Sequence, residues 1–297
     1  MLNLEYLQQL SEKHEDSLKV KVAEFSLGNQ QFNFNSQPAI MGVINLSSDS
    51  WYRESVCLNA DMAIRRGMVL NAQGANIIDI GAESTLEKAA RVEDFQQKSQ
   101  ILPVLKALNQ AGILTSIETY YPDVARECLK TGANIINLTG SADSQKIYET
   151  VAEFDAGVII CYVQGENVRE VGDFQFGDDP INLMYEYFAK EIEIATKAGV
   201  NKIFVDAGLG FYYKNLQDSS LRINFQMRTF LNSFRLRKLG FPICNALPHA
   251  FECFGEEVRS AEGFFAILAA LGKTDLFRTH EVPKIKAVLD SMSLFKA

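Results

Sequence analysis

Residues 59–81 read NADMAIRRGMVLNAQGANIIDIG, and this stretch decides the architecture. Ala60, Ala63, Ile64, Gly67, Met68 and Leu70 recur at helical spacing, Gly74 stops the helix, and NIIDIG has the length and branching of a buried strand. The same joint recurs twice. Gly132-Ala133-Asn134 leads from a helical stretch at 122–130 into NIINL, and Gly199-Val200-Asn201 leads from 180–198 into KIFVDAG. A glycine just past a helix end, then a short loop into a strand, marks a repeated αβ unit.

Working outward, eight apolar runs appear, at 39–45, 76–81, 113–118, 134–138, 157–163, 202–208, 242–247 and 275–278. Helical candidates separate them at 59–72, 94–110, 122–130, 144–154, 180–198, 225–239 and 256–271, with a last one at 283–294. Pro122, Pro180 and Pro283 stand near helix starts, where a missing N–H costs nothing. Eight alternations in about 260 residues predict an α/β fold, a single (β/α)8 TIM barrel. An open doubly wound sheet is disfavoured, because the first turn, Asn45-Leu46-Ser47-Ser48-Asp49, carries no G-x-G-x-x-G and no Walker lysine. Alternation at 18–26 and 31–35 around Gly28-Asn29 predicts an N-terminal β-hairpin that plugs the barrel. The expected division is therefore 1–37 as extension and hairpin and 38–297 as one barrel domain.

Composition narrows the function. Hydrophobic residues make up 47% of the 297, enough for a core, and the net charge of −8 argues against a grip on nucleic acid. No apolar run approaches the roughly 20 residues of a membrane span. The N-terminal MLNLEYLQQLSEKHEDS has neither a basic start nor a cleavable apolar stretch, which predicts a cytoplasmic location. Cys57, Cys128, Cys161, Cys244 and Cys253 are unclustered and read as small buried thiols; with only His14, His249 and His280 besides, a Cys/His zinc site is not expected.

Polar residues gather where the apolar runs stop: Asn45, Asp79, Glu83, Glu118, Asn137, Gln164, Asp206, Asn245, Arg278 and His280. In this fold the C-terminal strand ends form the active face. Carboxylates beside amides suit a ligand edge with several N–H donors, such as an aminopyrimidinone, and Arg278 with His280 suits an anion such as phosphate. No Ser/His/Asp order or activated cysteine is present, which argues against covalent acyl chemistry. Other readings stand beside these. Asp206 reads equally as the shaper of a turn before Ala207-Gly208, and Asn45 as the partner of a neighbouring backbone. Glu118 has Arg126 or Lys146 as alternative partners, and Arg278 and His280 have Glu281. Asp79 reads as a packing acid, and Phe211-Tyr212-Tyr213 as either a stacking platform or loop packing.

Several segments resemble the dihydropteroate synthase family. IMGVINLSSDSW at 40–51 is similar to M-G-I-L-N-V-T-P-D-S-F, and GANIIDIGAEST at 74–85 to G-A-x-I-I-D-x-G-G-E-S-T. TSIETYYPDVARECLKTGANIIN resembles S-V-D-T-x-x-P-x-V-A-x-x-A-x-x-x-G-A-x-I-I-N, KIFVDAGLGF resembles x-x-L-D-P-G-x-G-F, and LFRTHEV resembles I-x-R-V-H-D-V. The likeness runs in order from 39 to 290. It implies a pterin-binding barrel of folate biosynthesis, a transferase that joins p-aminobenzoate to 6-hydroxymethyl-dihydropterin diphosphate. It also implies magnesium, not tightly bound, and a homodimer through late helices, here 256–271 with Phe264, Phe265, Ile267, Leu268 and Leu271.

The resemblance places Asn45 at magnesium and the diphosphate, Asn137 and Asp206 at the pterin's amino edge, and Arg278 with His280 at the diphosphate. Glu118, Gln164 and His249 complete the substrate-binding candidates, while Asn45, Arg278 and His280 are the catalytic ones. The departures are specific. Glu118 replaces an aspartate, Ala207 a proline, and Leu86-Glu87-Lys88 the R-P-G turn. The first loop, 48–53, lacks the S-D-G-G continuation, and Leu247-Pro248-His249-Ala250 replaces S-R-K. The expected function is transfer of the pterin methyl group to an amine, altered or weak. The alternative is a non-catalytic pterin-binding paralogue or partner of a true synthase. A methyl-tetrahydrofolate-dependent methyltransferase ranks last, because its motifs are unmatched.

Overall fold

Two short antiparallel strands, β1 (Phe25–Leu27) and β2 (Gln30–Phe32), precede eight parallel ones. These are β3 (Ala39–Asn45), β4 (Ile77–Gly81), β5 (Leu114–Thr119), β6 (Ile135–Leu138), β7 (Gly157–Cys161), β8 (Ile203–Asp206), β9 (Ile243–Ala246) and β10 (Leu276–Thr279). In this computed structural model the eight close into a barrel, with β10 pairing β3. Residues 1–50, 52–84, 89–211 and 213–295 are described; the expectations on Trp51, on Leu86-Glu87-Lys88 and on Tyr212 lie outside the described residues.

The outer layer holds α3 (Ala60–Ala72), α4 (Asp94–Gln110), α5 (Pro122–Lys130), α6 (Ser144–Glu153), α7 (Pro180–Lys197), α8 (Ser219–Asn232), α10 (Ala261–Leu271) and α11 (Val282–Ser293), with the short α9 (Phe251–Phe254) before α10. Among the described residues no helix is long and apolar enough to cross a membrane. The repeated joint works as its glycines require: Gly74, Gly132 and Gly199 sit at φ of +110°, +104° and +99°, where a side chain would be strained. In the first two joints the asparagine then locks the neighbouring strand. Asn76 Oδ1 accepts the Ile40 N–H and Asn134 Oδ1 the Thr115 N–H, both at 2.9 Å.

Several boundaries differ from the sequence reading. The helix expected at 225–239 starts earlier, capped by Asp218, and turns to 3₁₀ over Ser233–Leu239 before Gly240 at φ +84° ends it. The 256–271 stretch is 3₁₀ to Ser260 and α-helical from Ala261. Residues at the N-terminus add α1 (Leu4–Lys13) and α2 (Glu15–Leu18), with Tyr6, Leu7 and Leu10 of α1 half-buried against the core.

The hairpin is shorter than its alternation suggests. Asn35 takes over from the strand ladder, its side chain accepting from Val22 N–H and donating to Val22 O. Leu27, Phe32 and Phe34 bury against Phe204, Ile77, Ile135 and Leu276 inside the barrel. The Phe34 and Phe204 rings meet edge-on at 5.3 Å. The hairpin thus plugs the N-terminal mouth. A buried ion pair, Arg237 Nη1 to Asp275 Oδ1 at 2.5 Å, fastens this end, and Arg237 also donates to Asn35 Oδ1 and Val20 O.

Candidate functional site

The C-terminal ends of the strands surround a cavity of ≈ 330 Å³. Asn45, Glu118, Asn137, Asp206, His249, Arg278 and His280 all line it. Sheet closure explains the convergence, since β5 and β6 set Glu118 opposite Asn137 and β8 ends on Asp206 beside Cys161 and Cys244. Gln164 is placed elsewhere. β7 stops at Cys161, and Gln164, three residues into the loop, spends its side chain on Tyr162 Oη and on the backbone of Gln175. Asn245 is likewise buried on Thr274 Oγ1.

Arg278 is the centre of the floor. Its Nε donates to Asp79 Oδ2 at 2.7 Å and its Nη2 to Glu118 Oε2 at 2.5 Å. Arg126 and Lys146, the local alternatives for Glu118, pair instead with Glu153 and Asp143. Glu118 is one methylene longer than aspartate and leans across Gly81, where a Cβ would stand 3.4 Å from its Oε2. Asp79 is fully buried, as a packing acid should be, and also accepts from Asn137 Nδ2 at 3.2 Å. Asn137 Oδ1 in turn accepts from Cys161 Sγ, and Asp206 Oδ1 from the Gly208 N–H at 2.8 Å.

One guanidinium therefore faces several acids in a place nearly cut off from water. Burial pushes the Glu118 carboxyl up; Arg278 opposes this, but Asp79, Glu83 and Asp206 add to it, and the group reaches about 7. Burial raises Asp206 as well, against the Gly208 N–H and Arg278. A carboxyl held near neutrality both donates and accepts, which widens the set of ring edges it can meet.

A second cluster forms one wall. Glu262, fully buried on α10, has Oε1 at 2.8 Å from His280 Nδ1 and 3.0 Å from His249 Nε2. Its Oε2 takes the Thr279 hydroxyl and the N–H groups of His280 and Glu281. Burial alone would raise this carboxyl, but the hydrogen bonds from His249 and His280 reverse that and hold it well below the usual carboxylate range. Tyr52 lies over both imidazoles, with ring centroids 4.5 Å from His249 and 4.4 Å from His280, and its hydroxyl donates to Glu281. Glu281 is held by Arg259 and Tyr52, so it does not pair with Arg278 or His280. Sequence reasoning missed Glu262 and Tyr52. The only trace of Glu262 is a lone acid in AEGFFAILAAL.

Asn45 donates through Nδ2 to Ser55 Oγ at 2.5 Å, and Ser55 Oγ to Tyr52 O at 2.8 Å. With the nitrogen committed, the oxygen is the end suited to a ligand. Such an oxygen fits magnesium, which keeps several waters and takes further oxygens from substrate phosphates. Of the aromatic loop, Phe211 lines the cavity, while Tyr213 is buried with its hydroxyl on the Gln164 N–H.

A family model described as pterin binding enzyme matches residues 41–244. A dihydropteroate synthase of Escherichia coli strain K12 is 28% identical over 269 residues, covering 88% of this chain and 92% of that one. A dihydropteroate synthase from Clostridium difficile, solved in the presence of pteroic acid, superposes with a TM-score of 0.74 at 26% identity, covering 92% of this chain and 100% of that one. The Burkholderia cenocepacia dihydropteroate synthase complexed with 7,8-dihydropteroate gives a TM-score of 0.77 at 24% identity, covering 92% and 96%.

Proposed function

The chain belongs to the pterin-binding enzyme family and is dihydropteroate-synthase-like, and from that premise we propose that it holds a pterin diphosphate at the C-terminal face of the barrel and transfers the pterin methyl group slowly to an amine. The observation that carries this reading is the meeting of Glu118, Asn137, Asp206 and Arg278 in one cavity. Asp206 and Asn137 supply acceptors and a donor for the amino-pyrimidinone edge, and Glu118 with its raised carboxyl adds either.

The carbon–oxygen bond to diphosphate breaks as positive charge develops on the pterin methylene, and the amine nitrogen then bonds to that carbon and gives up a proton to water. The protein's part is to align the two and to stabilise the departing charge. Asn45 Oδ1 and the diphosphate oxygens would hold magnesium, which neutralises that charge when bound. Slow turnover is supported by where the cations are. Arg278 already serves Asp79 and Glu118, and a histidine committed to Glu262 stands where the family has lysine. The same observation favours the second reading, a pterin-binding paralogue without turnover.

Assembly is part of the proposal. Phe265 and Leu268 of α10 are buried, while Phe264, Ile267 and Leu271 are exposed at 36%, 43% and 48%, an apolar row suited to a second copy in the cytoplasm. A dimer mass at micromolar concentration is expected, and a monomer counts against it. Calorimetry with 6-hydroxymethyl-dihydropterin diphosphate, beside a turnover assay with p-aminobenzoate, tests the function. Binding with turnover below about 1 s⁻¹ is expected. Absent binding overturns the site, and faster turnover overturns the weight given to His249.

A further inference from the structure

We propose that His249, Glu262 and His280 form a binding site for a first-row divalent transition cation, a 2-His-1-carboxylate set opening on the cavity. One ligand atom from each lies within 4.8 Å of the others. Two of the pairs are closer: Glu262 Oε1 stands 3.0 Å from His249 Nε2 and 2.8 Å from His280 Nδ1. Ligands at about 2.1 Å from one ion, at right angles, stand about 3 Å apart. The arrangement is therefore that of a facial triad, with two imidazole nitrogens drawn up around one carboxylate oxygen.

Three further features support a built site. The Glu262 Oε2 is fixed by Thr279 and by two backbone N–H groups, so the carboxylate is charged and cannot rotate away. Hydrogen-bonded support of this kind fixes a ligand's direction. Tyr52 packs over both imidazole rings and sets their planes. Both histidines line the cavity while Glu262 lies behind them, so an ion has a path in and keeps open positions toward whatever the cavity holds. Two nitrogens and one oxygen select zinc, cobalt(II) or iron(II) over magnesium, which prefers oxygen alone. An ion there adds positive charge on the wall where Arg278 contributes little, because that guanidinium is already matched by two carboxylates. The reading concerns the protein alone and holds whichever organic ligand the cavity takes.

The test is titration of the full, chelator-stripped chain with Co²⁺, read by its visible d–d absorption, with Zn²⁺ followed by calorimetry. One equivalent per chain is expected, unaffected by excess Mg²⁺. Affinity should fall by about 100-fold or more in His249→Asn, since even outer-shell losses reach that range. Circular dichroism confirms that the variant is folded, and Glu262→Gln should show the same loss. His14→Ala and Cys253→Ser, altering an imidazole and an exposed thiol away from the triad, should leave binding intact. Three results overturn the proposal: no stoichiometric uptake, uptake unchanged in folded His249→Asn, or a thiolate charge-transfer band lost with Cys253.

Discussion

Arg278 Nη2 and Glu118 Oε2 lie 2.5 Å apart, joining strands that are 160 residues apart in sequence. The contact closes the floor of the cavity and decides its electrostatics. A cation available to an incoming anion is instead shared between Glu118 and Asp79, so the floor faces a ligand mainly with acceptors and a neutralised guanidinium. A ring edge rich in N–H groups fits that floor better than a bare phosphate does.

Stability should therefore depend on pH through Glu118. Its folded pKa, about 7, exceeds the usual 4.5, so its contribution is complete below about pH 4.5 and is lost as pH rises through 7. Burial drives the shift, Arg278 opposes it, and Asp79, Glu83 and Asp206 add to it. Glu118→Gln removes the titration. Relative to the wild type, the variant should gain up to about 3 kcal/mol between roughly pH 5 and pH 8. Denaturant melts of both proteins across that range check it; a pH-independent difference refutes it.

Asp206→Asn tests ring recognition. The aspartate lines the cavity, is 4% exposed, and still accepts the Gly208 N–H, a bond that asparagine oxygen can keep. The fold should survive while pterin affinity drops by the worth of a charged hydrogen bond, about 1.5–3 kcal/mol. Calorimetry with the free pterin reads this directly. Unchanged affinity would remove Asp206 from the site.

Most of the barrel was legible because its strands are short, branched apolar runs with a polar stop: β3 begins and ends at Ala39 and Asn45 as read, and α4 and α5 match 94–110 and 122–130. The strand-end rule also gathered Asn45, Glu118, Asn137, Asp206 and Arg278, which line one cavity. It failed where direction depends on a loop: Gln164 and His249 each lie three residues past a strand, yet only His249 reaches the cavity. Partners were illegible for a different reason. Nothing local marks Arg278 rather than Arg126 as the mate of Glu118, since barrel closure alone brings them together. Glu262 sits in an apolar helix whose periodicity records burial but not what a buried acid meets.

Close packing behind α10 gives a sharp stability test. A Cβ on Gly272 would lie 1.8 Å from the Phe230 carbonyl oxygen and 2.8 Å from Ser233 Oγ. Backbone cannot yield as a side-chain tip does, so Gly272→Ala should cost about 3 kcal/mol or more. Gly112→Ala is the contrast: nothing lies within 4 Å, but φ is +72°, so only the left-handed strain of about 1–2 kcal/mol applies. Urea midpoints at unchanged slope would rank the two, and the reverse order would contradict the packing argument.

The pair that fastens the plugged end, Arg237 with Asp275, makes the last prediction. Both are nearly inaccessible, at 4% and 2%, and Asp275 Oδ2 also accepts the Ile243 N–H. Removing one member of such a pair strands the other charge, so Arg237→Met should cost about 3–5 kcal/mol near neutral pH. The loss should itself be pH-dependent. Burial already lifts Asp275 to about 6 against the pull of Arg237, and without that pull the carboxyl rises further. A raised carboxyl stabilises below its unfolded value and loses that contribution as pH rises through the folded one, so the deficit should be larger at about pH 8 than at about pH 5. Adding Asp275→Asn keeps an acceptor for Ile243 and removes the stranded charge. The double variant should recover part of the loss and lose most of the pH dependence. Melts of the single and double variants at both pH values decide the matter, and a double variant as unstable as Arg237→Met at the higher pH would show that the guanidinium acts through Asn35 and Val20 rather than through charge.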